Sequence, residues 1–131
     1  MDPDVRIEVP AEAEFVHVIR AVMAGVLARA GASVDELADL RLAVDEAASE
    51  LLRFGGTGED RAGRQLVVGI DRLDDGVAIE IAIAGGPVPG WPPVTTSLGW
   101  RILEGLVDEV QPLVDENRAA LRLTRHVGIA R

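Results

Sequence analysis

The sequence has 131 residues, with 13 basic and 22 acidic side chains that give a formal net charge of −9 at pH 7. All the basic residues are Arg, Cys is absent, and only two Phe and two Trp are aromatic. Such a chain lacks the cationic field and the stacking rings that nucleic-acid binding uses. It also lacks the ligands of zinc clusters and the thiol of cysteine nucleophiles. The length predicts one domain, residues 1–131.

Neither a membrane segment nor a secretion signal is expected. The apolar run at residues 21–28 lies between Arg20 and Arg29 and is far shorter than the roughly 20 residues of a membrane span. The acidic residues at the start of the chain differ from the positively charged beginning of a signal peptide. We therefore expect a cytoplasmic protein that binds neither nucleic acid nor membrane.

Periodic segments define the first half of the chain. Alternation over residues 4–10 predicts a strand. Ser33 and Glu36 match the capping box, so a second helix is expected from about residue 34 to Gly55. Between the strand at residues 4–10 and this second helix, apolar residues at steps of three and four form a stripe that predicts a first helix of about five turns. The stripe consists of Phe15, Val18, Ile19, Val22, Met23, Val26, Leu27 and Ala30. Gly25, among small residues on the opposite side, indicates either close approach of another backbone or a composition bias.

The second half is predicted to contain two hairpins and a helix. A polar connection at residues 57–64 leads to strands at 65–71 and 77–84 around an Asp-Asp-Gly turn. A proline-rich loop follows at residues 85–93. Ser97 is predicted to cap a third helix, and strands are expected at 110–114 and 119–127. The expected buried side of the third helix carries Leu98, Ile102, Leu103, Leu106 and Val107. This order predicts an α+β two-layer sandwich, with three helices on one face of a mixed, mainly antiparallel sheet.

Three segments carry a resemblance to a known family. Residues 35–48 resemble the second helix of the anti-sigma-factor serine kinases of the GHKL ATPase superfamily. Residues 97–110 resemble the segment that leads from the family's lid into the next helix, and residues 120–126 resemble its last strand. The resemblance covers nearly the whole chain and implies a GHKL fold of the Bergerat type.

The resemblance assigns roles to two carboxylates of the second helix. In the family this helix carries Glu-x-x-x-Asn, where Glu is the general base and Asn ligates Mg²⁺ on ATP. Glu46 keeps the first position and would be catalytic only in an active kinase, whereas Glu50 replaces the Asn. Carboxylate oxygens can ligate Mg²⁺, so Glu50 remains a candidate metal ligand. The residues alone favour a solvated acidic face of the helix. The two carboxylates, four residues apart, would repel each other there, and the nearby Arg53 could relieve that repulsion.

Two further departures fall on the nucleotide motifs. Gly85 stands where the family's Asp-x-Gly-x-Gly supplies the Asp that binds adenine, and Gly86 follows it. The segment corresponding to the lid is short, residues 91–96, and Ser97 and Gly99 keep only part of its glycine pattern. Glu50, Gly85, Gly86, Ser97 and Gly99 are therefore predicted to line a vestigial nucleotide pocket. We expect no cofactor, or ATP with Mg²⁺ if the site is retained.

The Ser-x-x-Trp segment at Ser97 is similar to the anti-sigma-F branch of actinobacterial anti-sigma factors. The resemblance implies a dimer that sequesters an alternative sigma factor and is countered by an anti-sigma-factor antagonist. It places Arg20 at a partner contact, with His17 and Ala24 on the same face. The alternative for Arg20 is a solvent-exposed Arg on a helix that packs against the chain's own sheet. For the whole chain the alternatives are an active antagonist kinase that uses Glu46, and a GHKL domain that regulates another partner.

Overall fold

Eight helices and strands make up the described part of the computed structural model, residues 2–56, 62–92 and 97–127. A single 3-10 turn at Ala13–Phe15 precedes the first helix. In chain order the elements are β1 (Val5–Pro10), α1 (Val16–Arg29), α2 (Val34–Phe54), β2 (Gln65–Leu73), β3 (Gly76–Ala84), α3 (Leu98–Leu106), β4 (Glu109–Asp115) and β5 (Arg118–His126). The predicted α+β order is therefore confirmed.

The sheet has five strands in the order β1-β2-β3-β5-β4. Each neighbouring pair is antiparallel, so the described strands contain no parallel pair, and the expectation of a mainly antiparallel sheet is confirmed. On the central strand β3, the predicted core face is buried, and Ala78 and Ala82 of the opposite face are buried as well, whereas Glu80 is only partly buried. The buried residues of the core face are Val77, Ile79, Ile81 and Ile83. Strand β4 lies at one edge and carries Pro112 at its centre, opposite Leu121 of β5.

The helices cover the sheet through an aliphatic core. Helix α2 begins with the predicted capping box, because Ser33 Oγ accepts from the Glu36 amide at 3.1 Å and Glu36 Oε1 accepts from the Ser33 amide at 2.8 Å. Each reciprocal bond satisfies an amide that the first helical turn would leave unpaired. The largest fully buried side chains of the three helices are Ile19, Met23, Leu27, Leu40, Leu51 and Leu103. No helix of the described residues is long and apolar enough to cross a bilayer.

Some predicted core positions on α1 and α3 are wrong. Leu98 is 75% exposed and Ile102 is 39% exposed, because α3 turns Gly99 and Trp100 toward the core together with the correctly predicted Leu103. On α1, Val18 and Val22 lie at the exposed margin of the predicted stripe. The predicted polar connection at residues 57–64 includes residues 57–61, and the predicted short lid at residues 91–96 includes residues 93–96. Both of these segments lie outside the described residues.

Candidate functional site

Two carboxylates lie one turn apart on α2, and they differ in exposure. Glu46 is half-buried, whereas Glu50 is only 3% exposed. The Arg53 guanidinium donates to Glu50 Oε2, so the buried carboxylate has the cation that the sequence indicated. The interpretation of a solvated acidic face is therefore wrong for Glu50, because α3 covers this side of α2.

The first turn of α3 packs directly on these two carboxylates. Ser97 caps the helix, since its Oγ accepts from the Trp100 amide at 3.2 Å. A Cβ atom added to Gly99 would lie 2.5 Å from Glu46 Oε1 and still closer to Glu50 Oε1. Any side chain at position 99 would force these carboxylates to shift. The two carboxylates thus face the positive end of a helix, which is the favourable orientation for negative charge.

The loop after β3 is held by the chain's own groups. Arg64 donates to the carbonyl oxygens of Gly86 at 3.2 Å and Pro87 at 2.8 Å, and the Gly86 amide donates to the Asn117 carbonyl at 3.0 Å. Gly85 has φ +113°, and a Cβ there would lie 3.2 Å from Arg64 Cα and Cγ. Position 85 therefore disfavours the Asp that the family pattern places there.

An aromatic pair lies between the end of α2 and this loop. The rings of Phe54 and Trp91 meet edge to face with centroids 5.3 Å apart, and the Arg53 guanidinium lies 5.7 Å from the Phe54 centroid. Trp91 Nε1 donates to the Leu113 carbonyl at 3.0 Å. Sequence reasoning missed this pair, although two of the four aromatic residues of the chain form it. Trp100 instead belongs to the core.

The surface between α1 and α2 is open. Two adjoining depressions of about 270 and 320 Å³ share Arg20 and Arg41, and we call them together the α1–α2 groove. Its lining residues are His17, Arg20, Ala21, Ala24, Ala38, Arg41, Leu42 and Asp45. The structure thus brings together Arg20, His17 and Ala24, the three residues predicted to bind a partner. Among the described residues, a Cβ on Gly25 would meet nothing within 4 Å, so of the two alternatives for this glycine the close approach of another backbone is not found.

Arg20 is held in this groove by two neighbours. Its Nη1 donates to Asp45 Oδ2 at 3.3 Å, and its Nη2 contacts His17 Nδ1. The Arg20 side chain is 24% exposed. Arg20 is therefore partly buried and restrained by Asp45 of α2, which differs from the alternative of a solvent-exposed Arg, and the groove remains open above it.

Ion pairs at the sheet shift the pKa of several groups. The Asn117 amide, which donates to Asp115 Oδ1 at 2.8 Å, and the Arg118 guanidinium lower the pKa of Asp115 below its ordinary value of 3.8. Glu80, at 2.8 Å from Arg118 Nη1, raises the pKa of Arg118 above its ordinary value. Asp4 has a lowered pKa because the amide and the guanidinium of Arg72 donate to it.

Comparisons with known proteins agree with this architecture. The model of the histidine kinase-like ATPase domain matches residues 9–125. Serine-protein kinase RsbW of Bacillus cereus (strain AH187) is 30% identical to this chain over 137 aligned positions, which cover 94% of this chain and 84% of the relative. RsbW of Bacillus mycoides (strain KBAB4) shows the same identity and coverage.

A solved structure shows the same fold. The crystal structure of the RsbU and RsbW domains of a Mycobacterium tuberculosis protein superposes with a TM-score of 0.66 at 19% identity. The match covers 95% of this chain and 33% of the solved chain. Together with the domain match over residues 9–125, these findings establish that the chain belongs to the histidine kinase-like ATPase family and is a relative of the serine-protein kinases named RsbW.

Proposed function

We propose that this chain is an anti-sigma factor that sequesters an alternative sigma factor by occupying its surface, and that an anti-sigma-factor antagonist reverses the complex. Residues 1–131 act as one domain, as a homodimer, without contacting nucleic acid or membrane. ATP binding is weak or lost. The single observation that supports weak or lost ATP binding is the packing of Gly99 on Glu46 and Glu50.

The contact between α2 and α3 does not fit a bound Mg²⁺–ATP. In the family pattern the phosphates and the metal lie between the Glu-x-x-x-Asn helix and the glycines of the lid. Here Gly99 leaves little room for a Cβ beside the carboxylates, and this close packing of α3 supports weak binding of a phosphate group there. Glu50 also brings a second negative charge near Glu46, which disfavours a phosphate further.

The base end of the site supports the same proposal. Gly85 carries no side chain to accept a hydrogen bond from the adenine amino group, and leaving a buried donor unpaired costs about 1–3 kcal/mol. The positive φ and the nearby Arg64 disfavour any larger residue at this position. Weak nucleotide binding is therefore expected from both ends of the site.

The α1–α2 groove supports the proposed partner contact. Arg20, His17 and Ala24 line one depression at the surface of the chain. The net charge of −9 favours encounter with a partner that has a basic DNA-binding surface, since complementary fields increase association rates. A partner held in this way would be kept from DNA without any chemical step.

Calorimetry with ATP and Mg²⁺ tests the nucleotide part of the proposal, with an RsbW kinase as the positive control. We expect no measurable binding heat for this chain and none for the Glu46→Ala variant. Tight, Mg²⁺-dependent binding together with antagonist phosphorylation that Glu46→Ala abolishes would establish the alternative function, an active serine kinase. The half-buried Glu46, which keeps the family's general-base position, is the observation that favours that alternative.

Co-expression with the sigma factors and antagonists of the source organism, one at a time, tests the partner part. Size-exclusion chromatography with light scattering should show a sigma complex without added nucleotide, and the antagonist should release it. The free chain should elute with twice its mass of 13.9 kDa. Absence of any sigma complex at physiological salt would contradict the proposal.

A further inference from the structure

We infer that Arg41 and Leu42 determine partner specificity in the α1–α2 groove, and that they bind an acidic segment of the sigma factor in which a carboxylate lies beside an aliphatic side chain. The inference rests on the proposed function, because it concerns how a sigma factor docks. The family resemblance places the partner contact at Arg20, whereas this inference assigns to Arg41 the larger part of the binding free energy of the sigma factor.

The two cations of the groove differ in what already neutralises them. Arg20 donates to Asp45 at 3.3 Å and contacts His17. Arg41 is exposed, and within residues 2–56, 62–92 and 97–127 its side chain has no hydrogen bond or ion pair. The uncommitted positive charge of the groove therefore belongs to Arg41.

This difference decides which cation gains more from a new carboxylate. A carboxylate that approaches Arg20 must compete with Asp45 and is repelled by it. A carboxylate that approaches Arg41 breaks no existing ion pair and becomes less hydrated as the groove closes over it, which strengthens the pair. Charge complementarity therefore favours Arg41 as the main electrostatic contact.

Leu42 supplies an apolar surface beside this charge. It is 56% exposed, although Leu is a residue that gains free energy from burial. Ala38 lines the same depression as Leu42, and Ala21 and Ala24 line the adjoining one, so several lining side chains are short. Short side chains let a partner approach the helices closely, so an aliphatic residue next to the incoming carboxylate can cover Leu42.

The charge of the groove is opposite to that of the whole chain, and this contrast favours the sigma factor as its occupant. The lining contains two Arg and one Asp, whereas the chain as a whole carries −9. A basic DNA-binding surface is attracted by most of the chain but repelled at the groove. An acidic segment of the same partner fits the groove and fixes the register of the complex, as complementary charge patterns do.

The test measures sigma-factor and antagonist affinities of the full-length chain separately, using the partners recovered by the co-expression screen. The variants are Arg41→Glu, Arg41→Lys and Leu42→Ser, all at exposed positions. Arg29→Glu is the matched control, since Arg29 is an exposed Arg of α1 outside the groove. Thermal unfolding of each variant confirms that the fold is intact.

We expect Arg41→Glu to weaken sigma binding by about tenfold or more, and Leu42→Ser by about tenfold, as residues central to an interface do. Arg41→Lys should retain more affinity than Arg41→Glu, and Arg29→Glu should stay within about threefold of wild type, as peripheral charges do. Replacing the acidic residue of the sigma segment by Arg should restore binding to the Arg41→Glu variant, and the same replacement should weaken binding to the wild-type chain.

The contrary outcomes separate this inference from the proposed function. If wild type binds a sigma factor and Arg41→Glu and Leu42→Ser bind it equally well, the inference is wrong and the proposed function stands. If only antagonist binding falls, the groove belongs to the antagonist, and the inference is again wrong. If wild type binds no sigma factor, the proposed function fails and the inference fails with it.

Discussion

The two sides of α2 show opposite uses of charged residues. Toward α3, the carboxylates of Glu46 and Glu50 are covered by a glycine of the neighbouring helix. Toward α1, Arg41 and Leu42 remain exposed around a groove. In the proposed function, the side of α2 that faces α3 corresponds to a weakened nucleotide site, and the side that faces α1 corresponds to a surface for a protein partner. Substitutions on the two sides can therefore test the two parts of that proposal separately.

Removing the anchor of α3 should give the largest effect. Leu103 is fully buried on α3, so Leu103→Ala is expected to lower the free energy of unfolding by about 2–5 kcal/mol. Ile102→Ala, one residue away and 39% exposed, is the control and should cost much less. Urea unfolding measures both. Equal losses would mean that α3 is not anchored through Leu103.

Adding one methyl group to Gly99 tests the closed side of α2 directly. Gly99→Ala is expected to destabilise the chain by about 1–3 kcal/mol, because the new Cβ clashes with Glu50, which is too buried to move freely. Gly105→Ala in the same helix meets nothing within 4 Å, and should instead stabilise by up to about 1 kcal/mol through helix propensity. Thermal and urea unfolding distinguish the two. A stabilising Gly99→Ala would show that α3 does not pack on the carboxylates.

Breaking the Arg20–Asp45 ion pair tests the open side. Both side chains are partly exposed, so Asp45→Ala should cost only about 0.2–1 kcal/mol of unfolding free energy. The same variant leaves a second uncommitted Arg in the groove and should therefore bind the sigma factor faster at low salt. Unfolding and association rates, each compared at low and high salt, check this. Slower association of Asp45→Ala would contradict the charge assigned to the groove.

The smallest effect is expected at Asp115, which lies in neither region. Its folded pKa is below 3.8, so its contribution to stability is present above that pH and is lost as the pH falls through the folded pKa. Asp115→Asn should accordingly lose less stability than wild type on acidification below pH 3.8. Carboxyl titration by NMR and acid unfolding measure the effect. If wild type and Asp115→Asn lose the same amount of stability as the pH falls below 3.8, the predicted contribution of Asp115 is excluded.

Much of the fold follows from local patterns in the sequence. The capping box of Ser33 and Glu36, the alternation on β3 and the turn at residues 74–76 are each decided by residues close in the chain. The prediction failed at Leu98 and Ile102, because which side of a short helix is buried depends on the neighbour it meets. For α3 that neighbour is the acidic side of α2, against which Gly99 packs closely.

The candidate site was less accessible to sequence reasoning. Family resemblance identified Glu46, Glu50, Gly99 and Arg20 as residues to inspect, but not their contacts. The Arg20–Asp45 pair joins residues 25 positions apart, and the loop clamp of Arg64 on Gly86 spans 22 positions. Such pairs depend on how α1, α2 and the β3 loop are brought together, and no local spacing specifies that arrangement.

The proline at the centre of β4 limits how two copies of this chain can associate. A strand at the margin of a sheet can extend the sheet of another molecule only if it presents a continuous row of amide donors. Pro112 has no amide hydrogen and interrupts that row. A homodimer, and equally an aggregate, is therefore disfavoured from growing through β4 by joining two sheets edge to edge. Self-association is therefore expected through surfaces other than the β4 edge of the sheet.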